Sequence, residues 1–135
     1  MPPVGTGNIQ AIATDTNGDV FVTGTFPVSL NFGCGLLNSA GGNDIFVAKF
    51  SSAGTCLWSK SFGDSAGASD EGRGLAVDPR DNSVVVTGYF QADVKFGGGR
   101  FTADGQGVFL VKFSSDGTHL WSKAVGNSSY QGTVD

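Results

Sequence analysis

Asp44-Ile-Phe-Val-Ala-Lys-Phe-Ser-Ser-Ala-Gly-Thr-Cys-Leu-Trp-Ser-Lys-Ser-Phe-Gly63 returns later in the chain as Gly107-Val-Phe-Leu-Val-Lys-Phe-Ser-Ser-Asp-Gly-Thr-His-Leu-Trp-Ser-Lys-Ala-Val-Gly126. From Ile45/Val108 onward, 12 of 19 positions are identical at an offset of 63. A period of this length marks a repeat architecture, so every other residue is read through it. The third strand of the unit, Ile45-Phe-Val-Ala and Val108-Phe-Leu-Val, is apolar on both parities. A half-exposed sheet would alternate apolar and polar residues, so each small sheet is expected to be covered on both faces. The fourth strands, Cys56–Ser61 and His119–Ala124, mix Trp with Ser and Lys, as a partly wet outer edge would.

Working outward, Ile9–Asp15 reads as a first strand and Asp15-Thr-Asn-Gly-Asp19 as its hairpin turn, because Asn-Gly tolerates positive φ between apolar runs. Val20–Phe26 is the second strand, with a tail over Val28–Phe32 beyond Pro27. A Gly-, Asn- and Ser-rich loop spans Gly33–Asn43; Asp44–Phe50 and Thr55–Ser61 complete the unit. The second copy gives strands at Arg73–Asp78, Val84–Phe90 with a tail to Phe96, Val108–Phe113 and Thr118–Ala124. Its offset from the first is 63 at Asp15/Asp78, 64 between Val20/Val84 and Gly33/Gly97, and 63 again afterwards, so length changes fall in turns. The expected fold is all-β. Four-stranded antiparallel blades that cover one another make a β-propeller, and such rings hold roughly 4 to 8 blades.

The expected organisation is a lead-in over 1–8, blade 1 over 9–63, blade 2 over 64–126 and a tail over 127–135. The lead-in is extended or mobile, given Pro2, Pro3, Gly5 and Gly7. The end of the tail, Gly132-Thr-Val-Asp135, echoes Leu75-Ala-Val-Asp78. It reads either as a closing strand for a neighbouring chain near Ile9–Asp15 or as a frayed terminus. Two blades cannot close a ring, and each uncovered face presents several apolar side chains, each stabilising by roughly 1.5–3 kcal/mol when buried. A homo-oligomeric ring is therefore expected, a trimer (six blades) before a tetramer (eight).

Composition narrows the function. Among 135 residues there are 22 Gly and 11 Phe, with a charged fraction of 15% and a net charge of -4. No Lys/Arg cluster is present, which argues against nucleic acid. No run reaches the roughly 18 apolar residues of a membrane span, so no membrane insertion is expected. Met1-Pro-Pro-Val-Gly5 lacks the features of a signal peptide, so the chain reads either as a cytoplasmic protein or, in preference, as a segment of a longer secreted one. Cys34 and Cys56 allow a disulfide by count, but the strand order puts them near opposite ends of a blade, so free thiols are expected.

The parts Ala13-Thr-Asp15, Asn17-Gly-Asp-Val-Phe-Val-Thr-Gly24, Asn31-Phe-Gly33 and Gly42–Phe50 through Leu57-Trp-Ser-Lys60 and Gly63 resemble the bacterial β-propeller repeats called seven-bladed. So do Ala76-Val-Asp78, Val86-Thr-Gly88, Lys95-Phe-Gly97 and Val108–Gly126. These repeats occur in secreted and surface proteins. The resemblance covers nearly everything outside 1–8 and 127–135, implies the fold and an extracellular or cell-surface location, and departs from the family in holding only two copies.

Candidate chemistry is sparse. Asp15, Asn17 and Asp19 place oxygen ligands at alternate positions, as calcium loops do. Neither copy supplies the closing Glu, and an Asx-bonded hairpin turn accounts for both. His119 is the single histidine and its counterpart is Cys56, whereas triads and zinc sites need several converging groups. Gly33-Cys-Gly35 and Gly97-Gly-Gly-Arg100 lack the following helix of a phosphate loop, so no cofactor is expected. Lys49/Lys112 and Lys60/Lys123 recur beside aromatics and are read as structural, pairing with Asp or lying over Trp58 and Trp121. By analogy with propellers, a ligand would meet the face holding the strand 2–3 and strand 4–1 loops. That face carries Asn38, Asn43, Asp44, Asp64, Asp70, Glu71, Arg73, Arg100, Asp104, Gln106 and Tyr130. The expected function is a non-enzymatic scaffold or binding module for carbohydrate or protein. A piece of a longer propeller that assembles without a ligand is the alternative, and an enzyme with a composite site at the channel mouth a second one.

Overall fold

The computed structural model describes residues 4–63 and 69–125, without the side chains of Val4 and Asp104. The described residues form strands and no helix: β1 (Val4–Gly5), β2 (Asn8–Thr14), β3 (Val20–Phe26), β4 (Ser29–Asn31), β5 (Leu36–Asn38), β6 (Asp44–Phe50), β7 (Cys56–Phe62), β8 (Glu71–Asp78), β9 (Ser83–Lys95), β10 (Arg100–Phe113) and β11 (His119–Val125). Sheet I has the order β2-β3-β6-β7 and sheet II the order β8-β9-β10-β11, all antiparallel; β1, β4 and β5 make a small third sheet. Sheets I and II thus coincide with the two copies of the repeat, each an antiparallel meander whose outer connections at the tight-hairpin end are short turns.

Local chemistry explains the turns. In Asp15–Asp19 the Asp15 carboxylate accepts from the amides of Asn17 (2.8 Å) and Asp19 (3.0 Å), and Gly18 takes φ +82°. In the second copy Asn82 takes the same left-handed region at φ 60°, which asparagine tolerates better than most residues.

Strand alternation then sorts the side chains. One face of sheet I carries Phe21, Thr23, Ile45, Val47, Trp58 and Phe62, and the opposite face carries Val22, Phe46 and Ala48. The first of these lies against the face of sheet II that bears Val84, Val86, Phe109, Val111 and Phe113, and together they form one core. Phe113 stacks on Phe62 at 5.7 Å and stands 6.2 Å from Trp58. Gly72 of β8 lets the two sheets approach closely, since a Cβ there would lie 2.2 Å from Thr23 Oγ1. The third strand of sheet I is buried on both parities, as its sequence requires.

The glycine-rich connections correct the sequence reading. Gly33–Asn43 is irregular except for the short strand β5 within it, whereas most of Gly97–Gly107 belongs to β10. In sheet II the β9–β10 hairpin continues past a register shift between Ala103 and Gln106, where Ala92 and Gly105 adopt positive φ. Beyond that point it doubles back over its own sheet. Phe96 packs 4.6 Å from Phe109, and the tip at Gly97 rests on His119 at the start of β11. In sheet I, where Pro27 interrupts the strand, the β4–β5 hairpin folds back in the same way. Phe32 covers Phe46 (5.1 Å) and Phe50 (5.6 Å).

Folding back brings Cys34, at the hairpin tip, to Cys56, the first residue of β7. The two are joined in a disulfide with Cα atoms 5.6 Å apart. This corrects the free thiols that the sequence suggests: strand order alone puts the two cysteines near opposite ends of a blade, and the fold-back of the hairpin closes that distance. The lead-in is likewise tied down within its described part: Val4 and Gly5 pair with Asn31 and Leu30 of β4, and Asn8 already belongs to β2.

Candidate functional site

The residues proposed for the loop-rich face do not converge on one site. Asn43, Asp44 and Asp70 sit at the junction of the two sheets, where the Asp70 amide donates to the Asn43 carbonyl at 2.8 Å. Both carboxylates are buried. Asp44 Oδ2 accepts from the Ala40 amide at 2.8 Å, and Asp70 Oδ1 accepts from the Gln91 amide at 2.9 Å. They fasten the bases of the fold-back hairpins rather than face solvent. Glu71 and Arg73 form an ion pair at 2.8 Å, with the Arg73 guanidinium against the Tyr89 hydroxyl and over its ring, on the outer side of sheet II. Arg100 pairs with Asp93 at 3.6 Å on the returned hairpin, and Gln106 is exposed at the bulge. The Asp104 side chain, Asp64 and Tyr130 lie outside the described residues.

The opposite end, which carries the tight hairpins, holds an open groove of about 620 Å³ between the sheets. Trp58, Leu57 and Lys49 come from sheet I; Asp81, Ser83 and the Ser114–Asp116 turn come from sheet II. The two carboxylates of this groove are fixed by their own turns. The Ser83 hydroxyl and amide donate to Asp81 and hold its carboxyl below the ordinary range, so it is ionised at neutral pH. The Ser114 hydroxyl and then Thr118 do the same for Asp116. Sequence reasoning missed this groove because its walls come from the two different sheets; the hint was the aromatic-flanked Ser-Ser turn present in both copies.

Beneath the groove, the Lys49 ammonium is the positive charge between Asp15 (3.6 Å) and Asp19 (3.7 Å), and it donates to Ser115 O (3.0 Å) and Oγ (2.8 Å) of the other sheet. The Trp58 indole donates to the same carbonyl at 3.1 Å. Asp15, Asn17 and Asp19 therefore act through the turn and this lysine: Asp19 also accepts from the Ser52 amide at 3.1 Å, and the Asn17 amide donates to Asp15. Among the described residues no group of three or more His, Cys, Asp or Glu side chains converges as a metal centre. Lys60 lies 6.0 Å over Trp58 and 5.8 Å over Phe113, the structural contact read from its recurrence.

His119 Nε2 stands 3.1 Å from Ser122 Oγ, a spacing at which a histidine can activate a hydroxyl. Ser122 is fully buried, so this hydroxyl cannot meet a substrate. What the groove offers is an indole, two ionised carboxylates and several hydroxyls, a set suited to hydrogen bonding and stacking with a hydroxylated ligand. No protein-family model matches the chain, and no curated protein matches it.

Proposed function

We propose that the chain is a non-enzymatic, two-blade β-propeller module that completes a ring with copies of itself and offers ligands the grooves between its blades. The observation that carries this reading is the direction of stacking. Sheet I meets sheet II through unlike faces, so each chain ends in one free face of each kind. Contacts between unlike faces generate rings when the rotation closes, three chains giving six blades and four giving eight. The resemblance to secreted bacterial propeller repeats points the same way. A Cys34–Cys56 disulfide fits a secreted or cell-surface protein, since such bonds persist in oxidising compartments.

The binding role rests on the Trp58 groove, with a carbohydrate as the ligand class its indole, carboxylates and hydroxyls favour. Tryptophan fluorescence titrated with a panel of neutral oligosaccharides tests it. A saturable change that survives Trp121→Phe and disappears in Trp58→Phe supports the groove. A flat response to the whole panel removes the carbohydrate reading.

A further inference from the structure

Resting on the ring reading above, we infer that the outer face of sheet II is a docking surface for the far face of sheet I in a second copy of this chain, in the register the repeat dictates. The internal contact between the sheets supplies the template. Ile45 and Val47 are fully buried there (0% and 0%), whereas their counterparts Val108 and Leu110 are 54% and 38% exposed. On the receiving side, Leu75 packs against the shared core, whereas its counterpart Ile12 is 67% exposed. The same side chains that one sheet hides are left open on the other, with matching chemistry on the surface that would cover them.

The polar anchor repeats as well. Trp58 and Lys49 both donate to the carbonyl of Ser115 in the neighbouring sheet, at 3.1 and 3.0 Å. Their counterparts are Trp121 and Lys112, and the counterpart of Ser115 is Ser52, in the β6–β7 turn of sheet I. In the docked pair the Trp121 indole and the Lys112 ammonium donate to the Ser52 carbonyl of the next copy. Asp78 and Asp81 of its own sheet lie within electrostatic reach of Lys112, although Asp78 is held by Arg80 and Asp81 by Ser83. Above this anchor Val125, the counterpart of Phe62, meets Phe32, the counterpart of Phe96; within the chain that pair is 5.1 Å apart. A foreign partner would have to reproduce all of these features, whereas a second copy carries them already.

Sedimentation velocity on four purified chains tests the docking. Val108→Glu/Leu110→Glu closes the donor face and Ile12→Glu the receiving face, each at residues exposed in the single chain, so urea midpoints stay near that of the parent. Leu120→Glu, on the neighbouring strand β11, is the control, since its counterpart Leu57 stays 49% exposed beside the packed interface. The parent and Leu120→Glu should associate, and the two blocked chains should each sediment as 13.8 kDa monomers. Their association should weaken by about 100-fold or more, since a carboxylate cannot enter an apolar contact unpaired. Mixed together, the two blocked chains should form a one-to-one dimer through the face that each retains. If the parent assembles and the blocked chains do so equally, or if the mixture stays monomeric, this pairing is overturned while assembly itself stands. A monomeric parent overturns both.

Discussion

Replacing Cys34 and Cys56 together by Ser tests how the fold-back hairpin is held. The bond closes a loop with a sequence separation of 22. For that length the chain-entropy relation gives about 3.4 kcal/mol of stabilisation at 25 °C. That is a sizeable share of the roughly 5–15 kcal/mol that separates a domain from its unfolded state. The native hairpin keeps its other attachments in the variant: Phe32 against Phe46 and Phe50, and β4 paired with β1. The loss should therefore appear as lowered equilibrium stability with the fold retained. Urea unfolding followed by tryptophan fluorescence should show the midpoint falling and the slope somewhat steeper, because the uncrosslinked denatured chain exposes more surface, and a reductant should shift the parent to the same midpoint without affecting the variant. Two results would refute the reasoning: alkylation of both thiols in the native, unreduced protein, or a difference below about 0.5 kcal/mol, which is the scale of an inert surface change.

Truncation of Phe113, fully buried against Trp58 and Phe62, should cost about 3–5 kcal/mol by urea unfolding; under 1.5 kcal/mol would contradict face-to-face packing of the sheets. Lys49→Met strands the buried Asp15 carboxylate and should cost about 3–5 kcal/mol, partly recovered by adding Asp15→Asn; no recovery would mean the ion pair is not what the lysine supplies. Gly88→Ala should be poorly tolerated, since its Cβ would fall 1.9 Å from the Glu71 carbonyl oxygen, and a melting temperature within a degree or two of the parent would contradict the β8–β9 register. Stability should also fall in acid. Hydrogen bonds from Arg80, Ser83 and Ser114 respectively hold Asp78, Asp81 and Asp116 below their unfolded values. Their contribution is present above about pH 4, the unfolded range, and is lost as pH falls through the folded values. Asp116→Asn should flatten that limb in urea midpoints measured from neutral to acid pH, and an unchanged limb would contradict the assigned bonds.

The repeat made the two sheets readable because their strands are long-range copies of one pattern. Asp44–Phe50 falls where its apolar run begins and ends, and Val20–Phe26 follows directly from the Asn-Gly turn. The fold-back hairpins were hidden for a physical reason. Glycine and asparagine signal irregular chain, and the residues that contradict this signal, Leu36-Leu37 and Phe101, are few; they pair across their own hairpins with Asn31, Leu30 and Val94. The fold-back is also what carries Cys34 to Cys56, and it draws Asp44 and Asp70 inward, where their carboxylates accept amides at the hairpin bases. The Trp58 groove depends on how one sheet stacks on the other, and the spacing of residues along one chain does not contain that offset.

The central claim is that sheets stacked through unlike apolar faces continue from one chain to the next. Sedimentation equilibrium of the full chain at tens of micromolar addresses it without substitution or label. A closed ring of three copies requires a mass of about 41 kDa, three times 13.8 kDa, with a fourfold multiple the other closed solution. A single species at 13.8 kDa would contradict it.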